Sequence, residues 1–190
     1  ESPESFMFKA GQFVMLRVKN NNVYKFRSYS ILNPPSKNGR IDLCIKVVSG
    51  GFASEIFQQL QVGDKQLLRG PFGNFVFHPE STVNEFWFIG TGTGVTPLYP
   101  MIKYFVAQLP NKKFRLIFGV RAQEDLLFHE EFLALEKKCP HFTYWPTLSQ
   151  EEWDGYNGRV QGHLGEDLHG KDFYICGLKE MVLETQKYLL

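Results

Sequence analysis

The chain has 190 residues, 43% of them hydrophobic and 22% charged, a balance that fits a folded globular protein and excludes the disordered and fibrous classes. Its 21 basic residues against 20 acidic ones leave a formal charge of +1 with no charged block, which argues against bulk electrostatic binding to nucleic acid or a membrane surface. The longest apolar runs fall short of the ~18 residues of a membrane span, and no charged-then-apolar leader pattern stands at the N-terminus, so a soluble chain is expected.

Residues 12–19, 27–32 and 41–48 read as short strands separated by turns, the turn between the last two being Asn33-Pro34-Pro35-Ser36-Lys37-Asn38-Gly39. They suggest a small antiparallel barrel. Ala53, Ile56, Phe57 and Leu60 keep helical spacing after Gly50-Gly51, Gly63-Asp64 ends that helix, and Gly70-Pro71-Phe72-Gly73 reads as a tight loop. From Glu85 the rhythm changes to strands alternating with helices: strands over 86–89, 114–120, 142–148 and 173–176, and helices over 95–109, 128–139 and 178–189. Such alternation implies a parallel sheet. The expected units are 1–79 and 80–190, with the boundary at His78-Pro79-Glu80. The first residue is Glu and the last helix runs into the terminus, so a fragment or processed form is expected.

Cys44, Cys139 and Cys176 are widely separated and in no pair spacing, which fits a reducing cytosol, and no Cys or His pattern has metal-ligand spacing. Cys44 and Cys139 are read as packing residues. Asp125, Glu130, Glu131, Glu151, Glu152 and Asp154 are read as solvated surface charges.

Three clusters can carry chemistry. Gly90-Thr91-Gly92-Thr93-Gly94 lies between a strand and a helix, where free N–H groups can hold a phosphate, although a tight βα turn explains the loop equally well. Its spacing is not Gly-x-Gly-x-x-Gly, and Gly119-Val120-Arg121 ends the next strand without an acidic residue, so an ordinary dehydrogenase fingerprint is absent. In Arg27-Ser28-Tyr29-Ser30, alternation puts Arg27 and Tyr29 on one face, where a flat ring and an anion could sit, or where a plain cross-strand pair could form. In Gly50-Gly51-Phe52-Ala53-Ser54, the Ser54 hydroxyl is expected to cap the helix, a role compatible with a phosphate site.

Arg-x-Tyr-Ser, Gly-Gly-x-x-Ser, Gly70-Pro71-Phe72-Gly73, Gly92-Thr93-Gly94-Val95-Thr96-Pro97, Gly119-Val120-Arg121 and Cys176-Gly177 follow one another in an order that resembles the ferredoxin reductase-like flavoprotein family, over nearly the whole chain. The resemblance implies a six-stranded antiparallel Greek-key β-barrel that binds FAD, or less often FMN, followed by an α/β parallel-sheet domain that binds NADH or NADPH. By resemblance Arg27 pairs with the flavin phosphate, Tyr29 stacks on the isoalloxazine and Ser30 lies near the flavin N5. Gly51, Phe52, Ala53 and Ser54 look like the pyrophosphate-binding helix start, and Gly92, Thr93, Gly94, Cys176 and Gly177 look like the nicotinamide site, with Ser30 and Cys176 next to the reacting atoms.

Relatives that select NADPH show Ser-Arg after the third strand of this domain and Lys-x-Tyr soon after. Here Leu148-Ser149-Gln150-Glu151-Glu152 and Tyr156-Asn157-Gly158-Arg159 stand instead, and Arg121 is the one candidate cation, which favours NADH. Against the family pattern, the strand before Gly11 is expected to be missing or curtailed, and the strand with which the family normally ends after the last helix to be missing. With no iron–sulfur ligands present, electrons are expected to pass to a separate redox protein, such as an iron–sulfur or haem protein, or to a small acceptor. The implied activity is a cytoplasmic NAD(P)H-dependent reductase. The competing reading is a flavin-bearing relay or regulatory subunit that senses pyridine nucleotide without turnover.

Overall fold

The computed structural model describes residues 6–20, 22–36 and 39–190. Part of the turn predicted at 33–39, Lys37-Asn38, lies outside the described residues.

Strands β1 (Phe13–Asn20), β2 (Val23–Ser30) and β3 (Leu68–Phe72) form an antiparallel sheet in the order β2-β1-β3. Strands β4 (Glu85–Thr91), β5 (Lys113–Val120), β6 (Phe142–Leu148), β7 (Tyr156–Asn157) and β8 (Lys171–Cys176) form a parallel sheet in the order β7-β6-β5-β4-β8. Helix α1 (Ser54–Gln59) belongs to the first unit; α2 (Val95–Phe105), α3 (His129–Lys138) and α4 (Lys179–Leu189) alternate with the parallel strands.

Four sequence expectations change. Residues 41–48 are not a strand: Leu43 makes an isolated bridge to Ile31 and Leu32 N–H bonds Asp42 O, after which Val47 and Val48 turn outward. The Val48 N–H is donated to the Ser54 hydroxyl rather than to a neighbouring strand, at 2.9 Å. The expected loop at Gly70-Pro71 is instead part of β3, where proline is tolerated because β3 is an edge strand. The strand expected from Arg27 begins four residues earlier, at Val23. The helix expected to reach Leu109 closes at Phe105, whose carbonyl accepts both the Gln108 and Leu109 N–H groups just before Pro110.

Strands β4 and β5 bury side chains on both faces, as parallel strands covered by helices must. On one face Phe86, Phe88, Phe114, Leu116 and Phe118 meet Leu98, Met101 and Ile102 of α2 and Phe132 of α3. On the other, Trp87, Ile89 and Ile117 meet Val160, Leu164 and Met181. The first sheet buries Val14 with Ile31 and Phe8 in a smaller core. Ala10 and Phe77 join the larger core, Phe77 lying 4.8 Å from Phe86 and 5.4 Å from Tyr174 between ring centroids. The His78 N–H also bonds the Tyr174 hydroxyl at 3.1 Å. The two sheets are therefore joined by a packed apolar seam rather than by an open linker.

Candidate functional site

Between β2 and the C-terminal edge of the parallel sheet lies a cleft of about 1070 Å³, the position where open α/β sheets bind ligands. It collects Tyr29 and Ser30 from the first unit with Gly92, Thr93, Gly94, Arg121, Cys176 and Gly177 from the second. Eight of the site residues read from the sequence thus come together in one place.

The wall on the parallel-sheet side is backbone packed on backbone. A three-residue turn over Gly92–Gly94 links β4 to α2. A Cβ added at Gly94 would strike the Cys176 carbonyl oxygen and come within 2.5 Å of the Gly177 Cα, so residue 94 has room for hydrogen alone. A Cβ at Gly177, where φ is +157°, would strike the Thr91 hydroxyl and approach the Thr91 nitrogen at 3.0 Å. The Thr91 hydroxyl accepts the Leu178 N–H at 3.2 Å, and the Thr96 hydroxyl donates to the Thr93 carbonyl at 2.8 Å. Gly94 is therefore a packing residue of this wall, whereas Gly92, with φ +52° and open space where a Cβ would stand, is the loop position with unfilled room. Burial pushes the Cys176 thiol above its ordinary range, so the side chain is a neutral thiol.

Arg27, Gly51, Phe52, Ala53 and Ser54 fall outside the cleft lining and form a second group beside it. Register pairs Arg27 with Leu16 and Tyr29 with Val14, which puts both on the same side of β2 as expected. The Arg27 guanidinium lies 5.6 Å from the Phe52 ring centroid, and the Tyr29 ring meets the edge of Phe57 at 5.6 Å, so α1 and its leading loop cover this face of the strand. Burial raises the Tyr29 phenol, partly opposed by the charge of Arg27, and the ring stays neutral. Ser54 does not cap the helix. It is the first helical residue, Ala53 takes the cap position, and the buried Ser54 hydroxyl accepts the Val48 N–H. A Cβ at Gly51 would stand 2.8 Å from the Ser54 Oγ and 2.9 Å from the Val48 carbonyl, so the glycine lets this loop fold tightly over the helix start.

The cleft also holds residues that sequence reading passed over. Cys44 and Lys46 line it, and the Lys46 ammonium reaches Asp125 of the second unit at 4.0 Å. Cys44 thus lines the cleft, and Asp125 is a solvated charge, as expected, with an exposed cross-unit contact to Lys46. Arg159 is a further cation in the wall besides Arg121, held 3.6 Å from Glu184 of α4, which also accepts from Gln161 at 3.1 Å. Glu151 accepts the Gln123 N–H at 2.8 Å beside a side pocket lined by residues 148–153, 157 and 158. Buried Thr147 donates to the Gly158 carbonyl at 2.9 Å and lies 3.0 Å from His163, which holds the loop before Arg159 in place. No local pattern marks these residues; chain segments far apart in sequence bring them together.

Residues 1–77 match the family model of the oxidoreductase FAD-binding domain and residues 88–187 that of the oxidoreductase NAD-binding domain. Ferredoxin–NADP reductase B of Sorangium cellulosum is 34% identical over 94% of this chain and 78% of its own length. The chain belongs to the ferredoxin reductase-like flavoprotein family. The reductase component of phenol 2-monooxygenase from a Pseudomonas species is 33% identical over 92% of this chain but only 51% of its own length. The crystal structure of the Amycolatopsis cytochrome P450 reductase GcoB superposes with a TM-score of 0.86 at 30% identity, covering 96% of this chain and 56% of that one. The chain thus spans about half the length of several relatives it matches.

For this ferredoxin reductase-like chain, two observations fit a dinucleotide-type flavin together with a pyridine nucleotide. The cleft has a stackable, neutral Tyr29 on one wall and an unfilled backbone turn at Gly92 on the other. The Arg27 cation and the tight Gly51–Ser54 loop stand together just beside it. Among the described residues no group of carboxylates, thiols and imidazoles could hold a metal ion, and no helix is long and apolar enough to cross a membrane.

Proposed function

We propose that this chain is the flavin- and nucleotide-binding part of an NAD(P)H-dependent reductase that passes electrons to a separate acceptor. The single observation that carries the reading is the cleft that faces Tyr29 and Ser30 toward Thr93 and Cys176-Gly177. FAD, when bound, supplies the conversion of a two-electron hydride donor into one-electron transfers. The chain's own part is placement. Arg27 with the Gly51–Ser54 loop would hold the diphosphate of FAD, a feature FMN lacks, which makes FMN the less favoured flavin. Tyr29 would stack on the ring system, Ser30 would donate or accept a hydrogen bond at its reacting edge, and Gly92, Thr93, Cys176 and Gly177 would bracket the nicotinamide.

The neutral Cys176 thiol acts as a small spacer in this scheme and not as a nucleophile, because burial disfavours the thiolate. Backbone contact between Gly94 and Cys176-Gly177 keeps that spacer fixed relative to the glycine-rich turn, which matters because reacting atoms must be held within about 3.5 Å. NADH is the preferred donor. The pinned Glu151 carboxylate beside the side pocket would repel a ribose phosphate, and Arg159 is already engaged by Glu184.

The finer reading follows the same reasoning. Residues 1–79 form a flavin-binding six-stranded barrel, of which β1, β2 and β3 are the regular part, and residues 80–190 form the nucleotide domain. The acceptor is a redox protein such as an iron–sulfur or haem protein, and the compartment is the cytoplasm, supported by three free thiols. The test is a visible spectrum of the FAD-reconstituted protein under anaerobic titration with NADH or NADPH. Bleaching of the visible flavin absorption, at lower concentration with NADH, is expected for a reductase. A yellow protein that neither nucleotide bleaches would be a relay or sensor, and a protein that refuses flavin would end the proposal.

A further inference from the structure

Thr147 of β6 is completely buried, and neither it nor His163 lines the cleft, yet together they hold a segment that does. A hydroxyl has one hydrogen to give. The Thr147 Oγ1 gives it to the Gly158 carbonyl at 2.9 Å, since two bare acceptor oxygens at that distance would repel, and so it accepts at 3.0 Å from the His163 Nε2. The Nε2 therefore carries a hydrogen whether the ring is neutral or charged. The Tyr156 ring meets the His163 ring edge-on, with centroids 5.3 Å apart.

The chain between these contacts leaves the sheet edge and crosses the sheet. Gly158 follows β7 directly, its N–H bonds the Leu148 carbonyl at 2.7 Å, and its φ of +101° turns the backbone out of the strand. Val160 is buried against Gly119 of β5, where a Cβ would stand 2.7 Å from the Val160 Cγ1. Its neighbours Arg159 and Gln161 line the cleft, and Glu184 of α4 holds both, Arg159 at 3.6 Å and Gln161 at 3.1 Å. Glu184 thus ties the side chains. The backbone that presents them is bracketed by Gly158 and His163, and one hydroxyl holds both brackets.

We propose that Thr147 and His163 are positioning residues for the pyridine nucleotide, clamping the 158–163 segment in its binding shape; this rests on the reductase reading above. The nicotinamide end of the donor is assigned to Gly92, Thr93, Cys176 and Gly177, so the segment over β5 and β6 serves the other end, the adenosine half. Without the hydroxyl, the Gly158 carbonyl and the His163 N–H lose their common partner, and the segment holds its binding shape for a fraction of the time. Apparent affinity falls by that fraction. Hydride transfer from donor already bound is set at the other end of the cleft, so the clamp is read in KM and not in kcat, and for ligands that have the adenosine half.

Four variants of the FAD-loaded protein test it: T147V and H163A remove the clamp, while T147S and H163Q keep a hydroxyl and a side-chain N–H donor. Binding of ADP-ribose is measured by calorimetry, and flavin reduction is followed with NADH and with reduced nicotinamide mononucleotide, which lacks the adenosine half. In T147V and H163A, ADP-ribose is expected to bind about 10-fold more weakly and the KM for NADH to rise by the same factor, with kcat and the mononucleotide reaction within about 2-fold of wild type. T147S and H163Q should match the wild type. A His163 ring N–H proton protected from exchange in the wild type, and unprotected in T147V, is the expected signature in the NMR spectrum. ADP-ribose that fails to bind the wild type, equal binding by all variants, equal losses with NADH and the mononucleotide, or H163Q as weak as H163A overturns the clamp. If T147V does not fold, the His163 pair at its half-buried position decides. A wild type whose flavin neither donor reduces overturns the reductase reading instead.

Discussion

The two walls of the cleft are made in different ways. On the parallel-sheet side the surface is backbone: Gly94 rests on the Cys176 carbonyl and Gly177, and Gly177 rests on Thr91. On the first-sheet side it is side chain: Tyr29 and Ser30 from one strand, with Cys44 and Lys46 from an irregular segment. Backbone walls fix distance, because their atoms move only if strands and helices move. Side-chain walls supply chemistry, and a substitution there alters what is bound more than where it sits. The cores repeat the contrast. The second unit closes a large core on both faces of its sheet, while the first lends Ala10 and Phe77 to it.

The largest expected effect breaks the seam between the two walls. Phe77→Ala removes a ring that touches Phe86, Phe88, Phe105, Phe114 and Tyr174 and should cost ~3–5 kcal/mol. Urea unfolding should stay a single transition at a lower midpoint; two separated transitions would mean that the units fold independently of this contact. Next comes the backbone wall. Gly94→Ala forces the turn away from Cys176-Gly177, and a displacement of about 1 Å is expected to slow flavin reduction by NADH ~100-fold with flavin still bound. Stopped-flow bleaching after a check of flavin content measures it, and an unchanged rate would show that this wall is not the nicotinamide site.

The side-chain wall should respond in the opposite sense. Arg27→Ala is expected to weaken FAD binding about 10-fold or more, while the flavin-free protein loses less than ~0.5 kcal/mol, since among the described residues the guanidinium contacts only the Phe52 ring and the Phe26 carbonyl. Flavin titration beside apo-protein unfolding separates the two, and equal losses in both would make Arg27 a structural residue. The smallest effect concerns Cys176. Its raised pKa favours the neutral thiol in the folded state, so this contribution to stability is full below the unfolded thiol's pKa and fades as pH rises through the folded value. Alkylation of Cys176 by iodoacetamide at pH 7.5 is expected to be several-fold slower than that of a free thiol. A faster reaction would mean an activated cysteine.

Much of the second unit was legible in the sequence. Strands β4, β5, β6 and β8 carry apolar runs and the three helices keep their 3.6-residue period, so these elements announce themselves within a dozen residues, whereas the two-residue β7 does not. The first unit was less so. Residues 41–48 read as a strand because they are apolar, yet the Val48 N–H is taken by the Ser54 hydroxyl, a contact that no period encodes. The same contact explains why Ser54 was misread as a cap. The cation tally missed Lys46 and Arg159 because their place in the cleft depends on how 41–48 and 158–163 cross over the sheet edge.

What the sequence determined by itself was the set of local signals: the strand carrying Arg27 to Ser30, the glycine-rich turn after β4, and the Cys-Gly at the end of β8, each fixed by alternation or by glycine's lack of a side chain. Only the tertiary structure decided how they meet. It joined Tyr29 and Ser30 to Cys176 across some 146 residues of chain, left Arg27 and Ser54 in a neighbouring group, and set Gly94 of the cleft lining directly against Cys176-Gly177. The reason is physical. Local patterns record which way a side chain points from its own strand or helix, whereas the distance between two walls is set by the Phe77 seam and by backbone contacts between segments that no window of sequence contains.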